Sequence, residues 1–226
     1  ESTGAPTYKK EVYARIIGPI RKAYPDLLLC ASLSGRDFFK FEERSEVLNL
    51  EGNLKPDFGS LTLSSLNFNR QASVNSPQMI QDLAKAMLDR GIMPELEVFD
   101  LGMINYAHYL LGKKLIHPPF YFNLILGNIA CAQANMLSLG LMVKELPAGA
   151  IWSAGGVGNA QLRTNAMSLV DGGGVRVGLE DNIWYDEDRT KLAMNRELVE
   201  RTLKIARALG REPYSRREAR EMLVKN

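Results

Sequence analysis

Short apolar runs alternate along the chain with longer segments whose apolar residues recur at helical spacing. Continuous or alternating apolar runs predict strands, and a period near 3.6 predicts amphipathic helices. The predicted strands span residues 27–34, 57–63, 94–100, 120–126, 150–154 and 175–181. The predicted helices span residues 9–24, 42–50, 77–90, 103–115, 131–146, 159–170, 196–209 and 215–223. Repeated strand-helix units predict an α/β fold with a parallel sheet, and no low-complexity linker divides residues 1–226, so we expect one domain.

The number of predicted strands leaves two architectures open. Six strands preceded by a helix are what remains of an eight-stranded β/α barrel, the (β/α)8 or TIM barrel, when strand one, helix one and strand two are missing. A doubly wound six-stranded sheet has the same count. Its usual G-x-G-x-x-G turn is absent from residues 32–36, which favours the barrel. The glycine-rich residues 154–158 can bind a phosphate at a helix start, but a plain turn explains them at least as well.

Residues 172–182 begin with three consecutive glycines and continue with charged and apolar residues in alternation. Because side chains alternate faces along a strand, Arg176 and Glu180 would face away from the valines and towards the interior. Buried charges are costly unless they bind a ligand or pair with each other, so the pattern indicates a functional site or a structural Arg–Glu pair. Glu180 and Asp181 come at the strand end, where barrels and open α/β sheets place their chemistry.

Polar residues recur on one face of every predicted strand. In a barrel the apolar face packs under the helices, and the other face lines the lumen with its last residues at the mouth. Arg176 would lie deeper than Glu180 and pair with Glu95 or Glu97, or hold Asp181 in place. The side chains expected to share one pocket are Ser32, Ser34, Thr62, Glu97, Asn123, Ser153 and Glu180.

Composition excludes several classes of function. A net charge of +2, with both signs scattered, gives no basic stripe for nucleic acid, so we expect no nucleic-acid partner. Cys30 and Cys131 are isolated in apolar surroundings, which indicates neither a disulfide framework nor a Cys-based zinc site and is typical of a reducing, cytoplasmic protein. No apolar run approaches the ~20 residues of a membrane helix, and the first residues do not resemble a signal peptide.

The histidines argue against a metal site built by this chain alone. Catalytic zinc usually has three protein ligands, most often including histidine. His108 lies within a predicted helix and His117 at a predicted helix end, so we expect a surface role and a helix C-terminal role respectively. If a metal is bound, this chain supplies one ligand and the others lie elsewhere.

Residues 174–182, Gly-Val-Arg-Val-Gly-Leu-Glu-Asp-Asn, resemble the signature of the β-keto acid cleavage enzymes, and other segments agree in order along essentially the whole chain. These are residues 32–36, 60–62, 65–68, 94–100, 146–147, 210–212 and 218–220, together with Trp152. The resemblance implies an eight-stranded β/α barrel that binds a divalent metal, usually Zn²⁺. It implies exchange of acyl groups between a β-keto acid and acetyl-CoA, giving acetoacetate and a new acyl-CoA, in a homotetramer.

The resemblance also implies roles for individual residues. Glu180 matches the metal-binding glutamate, Asp181 the acid proposed as general base, and Arg176 the arginine that positions it. Glu97 is a candidate active-site acid. The positions that contact the keto acid are matched by Ser32, Gly35 and Thr62. The family's two histidine ligands and a substrate-binding glutamate belong to the strands upstream of this sequence.

Two other functions remain open at this point. A metal-dependent aldolase or lyase on the same barrel would use Glu180 without acetyl-CoA. A truncated barrel without the upstream strands would be non-catalytic, and its open strand edges would face solvent or a partner.

Overall fold

The computed structural model describes residues 4–224. Its strands are β1 (Cys30–Ala31), β2 (Phe58–Thr62), β3 (Leu66–Asn67), β4 (Ala72–Ser73), β5 (Met93–Val98), β6 (Tyr121–Leu126), β7 (Ile151–Gly156) and β8 (Gly174–Val175). Its α-helices are α1 (Lys10–Ala23), α2 (Phe41–Ser45), α3 (Pro77–Asp89), α4 (Leu101–Gly112), α5 (Met136–Lys144), α6 (Ala160–Val170), α7 (Asn195–Ala208) and α8 (Arg216–Leu223). Strands and helices therefore alternate through most of the chain, as predicted.

Six of the strands form one parallel sheet in the order β1-β2-β5-β6-β7-β8. Each strand joins the same side of its predecessor, and the sheet curls into a half-barrel. A doubly wound sheet instead reverses its strand order at a switch point. The order does not reverse anywhere in residues 4–224, so the doubly wound alternative is wrong for the described sheet.

The two edge strands are shorter than predicted. β1 and β8 each pair on one side only within the described residues, and each is two residues long. The predicted strand 175–181 ends early because turn bonds replace the ladder: Asp181 and Asn182 both donate from the backbone to the Gly178 carbonyl, at 3.4 and 3.3 Å. Residues beyond Val175 therefore do not alternate as a strand would.

Two further helices differ from their predicted bounds. The predicted helix 42–50 divides into α2 and a 3₁₀ turn at Glu46–Asn49. The predicted helix 131–146 begins only at Met136, since the Asn135 side chain caps it by accepting a hydrogen bond from Ser138 N at 2.8 Å. α8 begins with a capping box, in which Ser215 and Glu218 bond each other's backbone.

An antiparallel hairpin, β3–β4, was not predicted. It projects between β2 and α3 and pairs Leu66 with Ser73. Phe68 of the hairpin packs edge to face on Phe99 after β5, with ring centroids 5.8 Å apart. The hairpin therefore covers one side of the sheet's carboxyl end.

The apolar core lies between the outer face of the sheet and the helices. Fully buried members include Leu61, Leu83, Leu96, Phe122 and Leu124. Burial of this face accounts for the apolar half of the alternation in β2, β5 and β6. Within residues 4–224, no helix has the length and apolar character needed to cross a membrane.

Four of the five buried residues of α6 are polar, and Leu169 is the fifth. The four polar residues, each at most 1% exposed, are Gln161, Thr164, Asn165 and Ser168. Asn165 Nδ2 donates to the carbonyls of Ala154 and Arg176, at 3.1 and 2.7 Å, and Gln161 Nε2 donates to the Gly178 carbonyl at 2.8 Å. These bonds fix the backbone that leaves β8.

Candidate active site

A pocket of about 120 Å³ lies at the carboxyl ends of the central strands. This is the end of a parallel α/β sheet where ligands and catalytic groups collect. Its lining includes Ser32, Ser34, Thr62, Glu97, Arg176, Glu180 and Asp181. Five of these are among the seven side chains expected to share one pocket, and Arg176 and Asp181 join them.

Asn123 and Ser153 do not line this pocket, so their expected place in it was wrong. In the register of the sheet, Thr62, Glu97, Asn123 and Ser153 lie side by side on neighbouring strands. Both are nevertheless buried, at 2% and 3% exposure, because they bond deeper groups. Asn123 Nδ2 donates to Glu95 Oε1 at 3.1 Å, and the Ser153 hydroxyl lies 2.9 Å from the Tyr121 hydroxyl.

Glu97 lies in the wall of the pocket between two partners. The Thr62 hydroxyl donates to its Oε2 at 2.7 Å, and Arg176 Nη1 lies 3.5 Å from its Oε1. Burial, and next the charge of Glu95, raise the pKa of Glu97 to about 7, although Thr62 and Arg176 both lower it. Glu97 therefore exchanges a proton near neutral pH.

Arg176 binds Asp181 in a two-point contact. Arg176 Nε donates to Oδ2 at 2.7 Å, and Nη2 donates to Oδ1 at 3.1 Å. Burial by itself would lower the pKa of Arg176, but the hydrogen bonds and charge of Asp181, and then the charges of Glu97 and Glu180, raise it above its usual value. Arg176 stays cationic and orients the carboxylate.

Glu180 is not part of a strand and does not point into the interior of the barrel, contrary to the alternation expected from the sequence. It lies in the turn after β8, and its side chain is 66% exposed at the pocket mouth. Its Oε2 is 3.2 Å from Arg176 Nη2, and its Oε1 is 3.6 Å from Arg36 Nη2. The predicted Arg–Glu pair thus exists, but it is a partly exposed one.

The turn at residues 32–36 forms one wall of the pocket. Ser32 is exposed there, whereas Gly35 is buried below the surface. A Cβ at Gly35 would overlap the Val74 carbonyl oxygen, so only glycine fits this position. The role of Gly35 visible in the structure is close backbone packing.

Arg36 is a pocket residue that was not among the predicted site residues. Its Nε donates to Ser34 Oγ at 3.2 Å, and its guanidinium group lies 5.4 Å from the centroid of the Phe68 ring. Phe68 belongs to the unpredicted hairpin. The positive charge of Arg36, in the turn Ser34-Gly35-Arg36, was the signal in the sequence that could have identified it as a site residue.

The glycines of residues 154–158 serve close packing. A Cβ at Gly155 would lie 2.9 Å from the Arg176 Cβ, so Gly155 lets Arg176 pass close to β7. Gly158 N donates to the Asp181 carbonyl at 2.7 Å and ties the loop after β7 to the loop after β8. These contacts explain the glycines without a phosphate.

The described residues do not themselves form a metal site. Across residues 4–224, no group of three His, Cys, Asp or Glu side chains is arranged to hold a metal ion. His108 is exposed on α4, as expected, and its Nε2 lies 2.9 Å from the Glu145 carbonyl oxygen. His117 lies in the loop beyond α4, so its expected helix C-terminal role was wrong.

The family model for beta-keto acid cleavage enzyme matches residues 1–224 of the chain. The chain belongs to this family. The resemblance inferred from residues 174–182 is thereby confirmed.

Curated relatives match nearly the whole sequence. The 3-keto-5-aminohexanoate cleavage enzyme of Fusobacterium nucleatum is 36% identical, over 99% of this chain and 80% of the relative. The 3-oxoadipate:acetyl-CoA acetyltransferase of Cupriavidus necator is 30% identical, over 96% of this chain and 76% of the relative. The β-keto acid cleavage enzyme family therefore includes relatives named for different keto acids.

A solved structure supports the fold. The binary complex of ObcA with oxaloacetate superposes with a TM-score of 0.80 at 19% identity. The match covers 96% of this chain and 56% of the ObcA chain, so this chain spans little more than half of ObcA. At this identity the similarity concerns the half-barrel architecture alone.

Proposed function

We propose that the protein exchanges an acyl group between a β-keto acid and acetyl-CoA, yielding acetoacetate and a new acyl-CoA. The observation that carries the proposal is the Arg176–Asp181 pair in the wall of the pocket, in a chain of the β-keto acid cleavage enzyme family. The Fusobacterium relative is named for cleavage of a keto acid, and the Cupriavidus relative for transfer to acetyl-CoA.

Asp181 is proposed as the general base that removes a proton from C2 of the β-keto acid, the carbon between its keto and carboxylate groups. Both of its oxygens accept from Arg176, which fixes the carboxylate, and each oxygen keeps a further lone pair for that proton. The resulting carbanion attacks the thioester carbonyl of acetyl-CoA, which forms a new carbon–carbon bond and releases the CoA thiolate. The thiolate then attacks the original keto carbon, the bond between that carbon and C2 breaks, and C2 takes back the proton from Asp181, which gives acetoacetate and the new acyl-CoA.

Glu97 is proposed as a second acid in the same pocket. With a pKa of about 7 it can hold or give up a proton at the oxygen that develops charge during addition. The Thr62 hydroxyl proton points to Glu97 and not into the pocket, so Thr62 would meet a substrate as a hydrogen-bond acceptor. Ser32 is proposed to orient the keto acid along the wall of the pocket, and Gly35 to support that wall through the close backbone packing of the same turn.

A divalent metal, Zn²⁺ by resemblance, belongs to the proposal with Glu180 as one ligand. Residues 4–224 do not supply a complete ligand set, so further ligands would have to come from outside them. When bound, such an ion would polarise the substrate's keto oxygen. The proton transfers and contacts assigned above to residues of this chain are described without the ion.

The role of Glu180 is tested separately from turnover. We expect Glu180→Gln to lower the zinc content measured by mass spectrometry, whereas Glu187→Gln, an exposed glutamate nearby, keeps it. Equal zinc in both variants and the wild type would remove Glu180 from the ligand set.

The reaction is tested by measuring acetoacetate from a panel of β-keto acids, with and without acetyl-CoA. We expect formation only with acetyl-CoA, and a loss of about 10²–10⁴-fold in Asp181→Asn. Asp188→Asn, the same change at an exposed position of the same loop, should retain full activity. Cleavage without acetyl-CoA would overturn the proposal and favour a metal-dependent aldolase or lyase, and absence of turnover with every keto acid would overturn both.

The assembly is proposed to be a homotetramer, on family resemblance. In the sheet formed by the described residues, the short strands β1 and β8 lie at the two edges, where a further strand can pair with them. A monomeric mass by light scattering would contradict the tetramer.

A further inference from the structure

Three polar side chains of α6 donate to every second carbonyl of residues 174–178, the segment that leads from β8 to the active-site acid. The three bonds join Ser168 Oγ to the Gly174 carbonyl at 2.5 Å, Asn165 Nδ2 to the Arg176 carbonyl at 2.7 Å, and Gln161 Nε2 to the Gly178 carbonyl at 2.8 Å. Each donor residue is at most 1% exposed, so water does not compete for these bonds. α6 therefore holds this segment along its whole length.

Asn165 holds Arg176 at the point where the sheet no longer does. Within the described residues, β7 and β8 pair only as far as Ala154 and Val175. Arg176 N still donates to the Ala154 carbonyl at 3.0 Å, but the Arg176 carbonyl lies beyond the last pair. Asn165 Nδ2 donates to both carbonyls, at 3.1 Å to Ala154 and 2.7 Å to Arg176. Since an amide nitrogen carries two hydrogens, both are used in fixing the backbone of Arg176 to β7.

Gln161 holds the turn that carries the acid. The Gly178 carbonyl accepts from the backbone N–H groups of Asp181 and Asn182, at 3.4 and 3.3 Å, and this turn returns Asp181 to Arg176. Gln161 Nε2 donates to the same carbonyl at 2.8 Å, a shorter bond than either. Among the described residues, Gln161 Oε1 has no hydrogen-bond partner, so this side chain contributes to the site through its donor.

The two donors are held at a fixed spacing by the helix that carries them. Asn165 and Gln161 are four residues apart in α6. Residues at this interval lie on one face of a helix, about 6 Å apart along its axis. One of them holds the backbone of the arginine and the other holds the turn of the acid. The spacing of the two donors therefore fixes how far Arg176 lies from Asp181.

We propose that Asn165 and Gln161 are positioning residues of the reaction, which hold Arg176 and Asp181 at the separation that their two-point contact requires. Neither side chain lines the active-site pocket, so both act through the Arg176–Asp181 pair and not on the substrate. This inference rests on the proposed function, in which Asp181 is the general base.

Asn165→Leu removes both donors from a side chain of similar size. We expect kcat for acetoacetate formation to fall roughly 10- to 10²-fold, because the arginine that orients the base is displaced. KM should stay unchanged, since Asn165 does not touch the substrate. Gln161→Met, which removes the donor to the turn, should give the same kind of loss and serves as the second variant if Asn165→Leu folds poorly.

Thr164→Val is the matched control. Thr164 is as buried as Asn165 and lies next to it in α6, but its Oγ1 has no hydrogen-bond partner among the described residues. The variant changes the same helix without changing a bond to the segment, so kcat should remain that of the wild type. An equal loss of kcat in Thr164→Val and Asn165→Leu would overturn the inference, because any change in α6 would then have the same effect.

A double-mutant cycle tests whether Asn165 acts through Arg176. If it does, Asn165→Leu should slow the Arg176→Lys variant much less than it slows the wild type, because the two-point contact is already lost. A double variant whose loss in kcat equals the product of the two single losses would show independent action and overturn the inference.

Deuterium exchange of the backbone amides of residues 176–182 separates this inference from the proposed function. We expect faster exchange there in Asn165→Leu than in Thr164→Val, with exchange in β5 and β6 unchanged. Equal exchange in the two variants would overturn the inference, even in an active enzyme. If the wild type forms no acetoacetate while Asn165→Leu still exchanges faster, the proposed reaction is rejected and the hold of α6 on this segment stands.

Discussion

Arg176 holds Asp181 by two hydrogen bonds, 2.7 and 3.1 Å long, across a separation of five residues. On a continuous strand, residues an odd number apart point to opposite faces and cannot form this contact. The pair exists because the strand ends at Val175 and the chain turns at Gly178. The early end of β8 is thus what brings the arginine and the acid together.

Arg176→Lys should keep the charge but lose the two-point contact. A lysine ammonium group cannot match the fork geometry that fixes the Asp181 carboxylate. We expect kcat for acetoacetate formation to fall on the order of 10²-fold, since misplacement by about 1 Å has effects of that size. Arg163→Lys, at an exposed position of α6, is the control. A kcat close to wild type in Arg176→Lys would mean that the orientation of Asp181 does not limit the reaction.

Gly35→Ala should destabilise the protein. The added methyl group would overlap the Val74 carbonyl oxygen and lie 2.9 Å from Arg44 Nη1. We expect a loss of about 1–3 kcal/mol in the free energy of unfolding, measured in urea. Gly112→Ala, at the end of α4 with no atom within 4 Å of the new Cβ, should be neutral or stabilising. Equal stability of the two variants would show that the turn relaxes without cost.

The central strands could be predicted from sequence because they have neighbours on both sides. In β2, β5 and β6, one buried apolar face and one lumen face produce a regular period of two, and the predicted bounds lie within two residues of the observed ones. The same period placed Thr62 and Glu97 together in the pocket. Within residues 4–224, the edge strands β1 and β8 each pair with a neighbour on one side only, so their extent depends on turn hydrogen bonds that periodicity does not reveal.

Sequence analysis did not predict the hydrogen bonds that hold the backbone around Arg176, because they come from buried polar residues of a helix. Sequence analysis treats apolar residues at helical spacing as the buried side. In α6 four of the five buried residues are polar: Gln161, Thr164, Asn165 and Ser168 follow the i, i+3, i+4, i+7 spacing. That spacing of polar residues was visible in the sequence. Only the structure shows that it holds the backbone of Arg176 and Gly178.

Asp57→Ala should destabilise the opposite end of the sheet. Asp57 accepts from Arg21 of α1 at 2.5 Å, from Leu29 N at 2.8 Å and from Arg220 of α8 at 2.8 Å. Because the change leaves two partly buried arginines without their acid, we expect a loss of about 3–5 kcal/mol in urea unfolding. Asp89→Ala, which removes an exposed ion pair to Lys85, should cost under about 1 kcal/mol.

The cost of Asp57→Ala should also depend on pH. Burial by itself raises the pKa of Asp57, but the hydrogen bonds from Arg21, Leu29 and Arg220 lower it below its usual value. The stabilisation is therefore present above the unfolded value of 3.8 and is lost as the pH falls through the folded pKa. A difference from wild type that stays constant down to low pH would contradict the role of the ionised carboxylate.

Glu97 should have the opposite effect on stability. Its pKa in the folded protein is about 7, above the 4.5 of an ordinary glutamate, because burial and then the charge of Glu95 disfavour the ionised form. Between these values the folded state binds more protons than the unfolded state, so stability falls as the pH rises. The shift corresponds to roughly 3 kcal/mol at full ionisation.

Glu97→Gln should remove this pH dependence. In urea unfolding, we expect the variant to gain stability relative to wild type between pH 5 and pH 8, because an amide does not ionise. Glu95→Gln should give part of the same gain, since removing the Glu95 charge lowers the pKa of Glu97. Glu187→Gln, at an exposed position, should follow the wild-type curve. Parallel curves for wild type and Glu97→Gln would mean that Glu97 ionises at its ordinary pKa and cannot exchange a proton near pH 7.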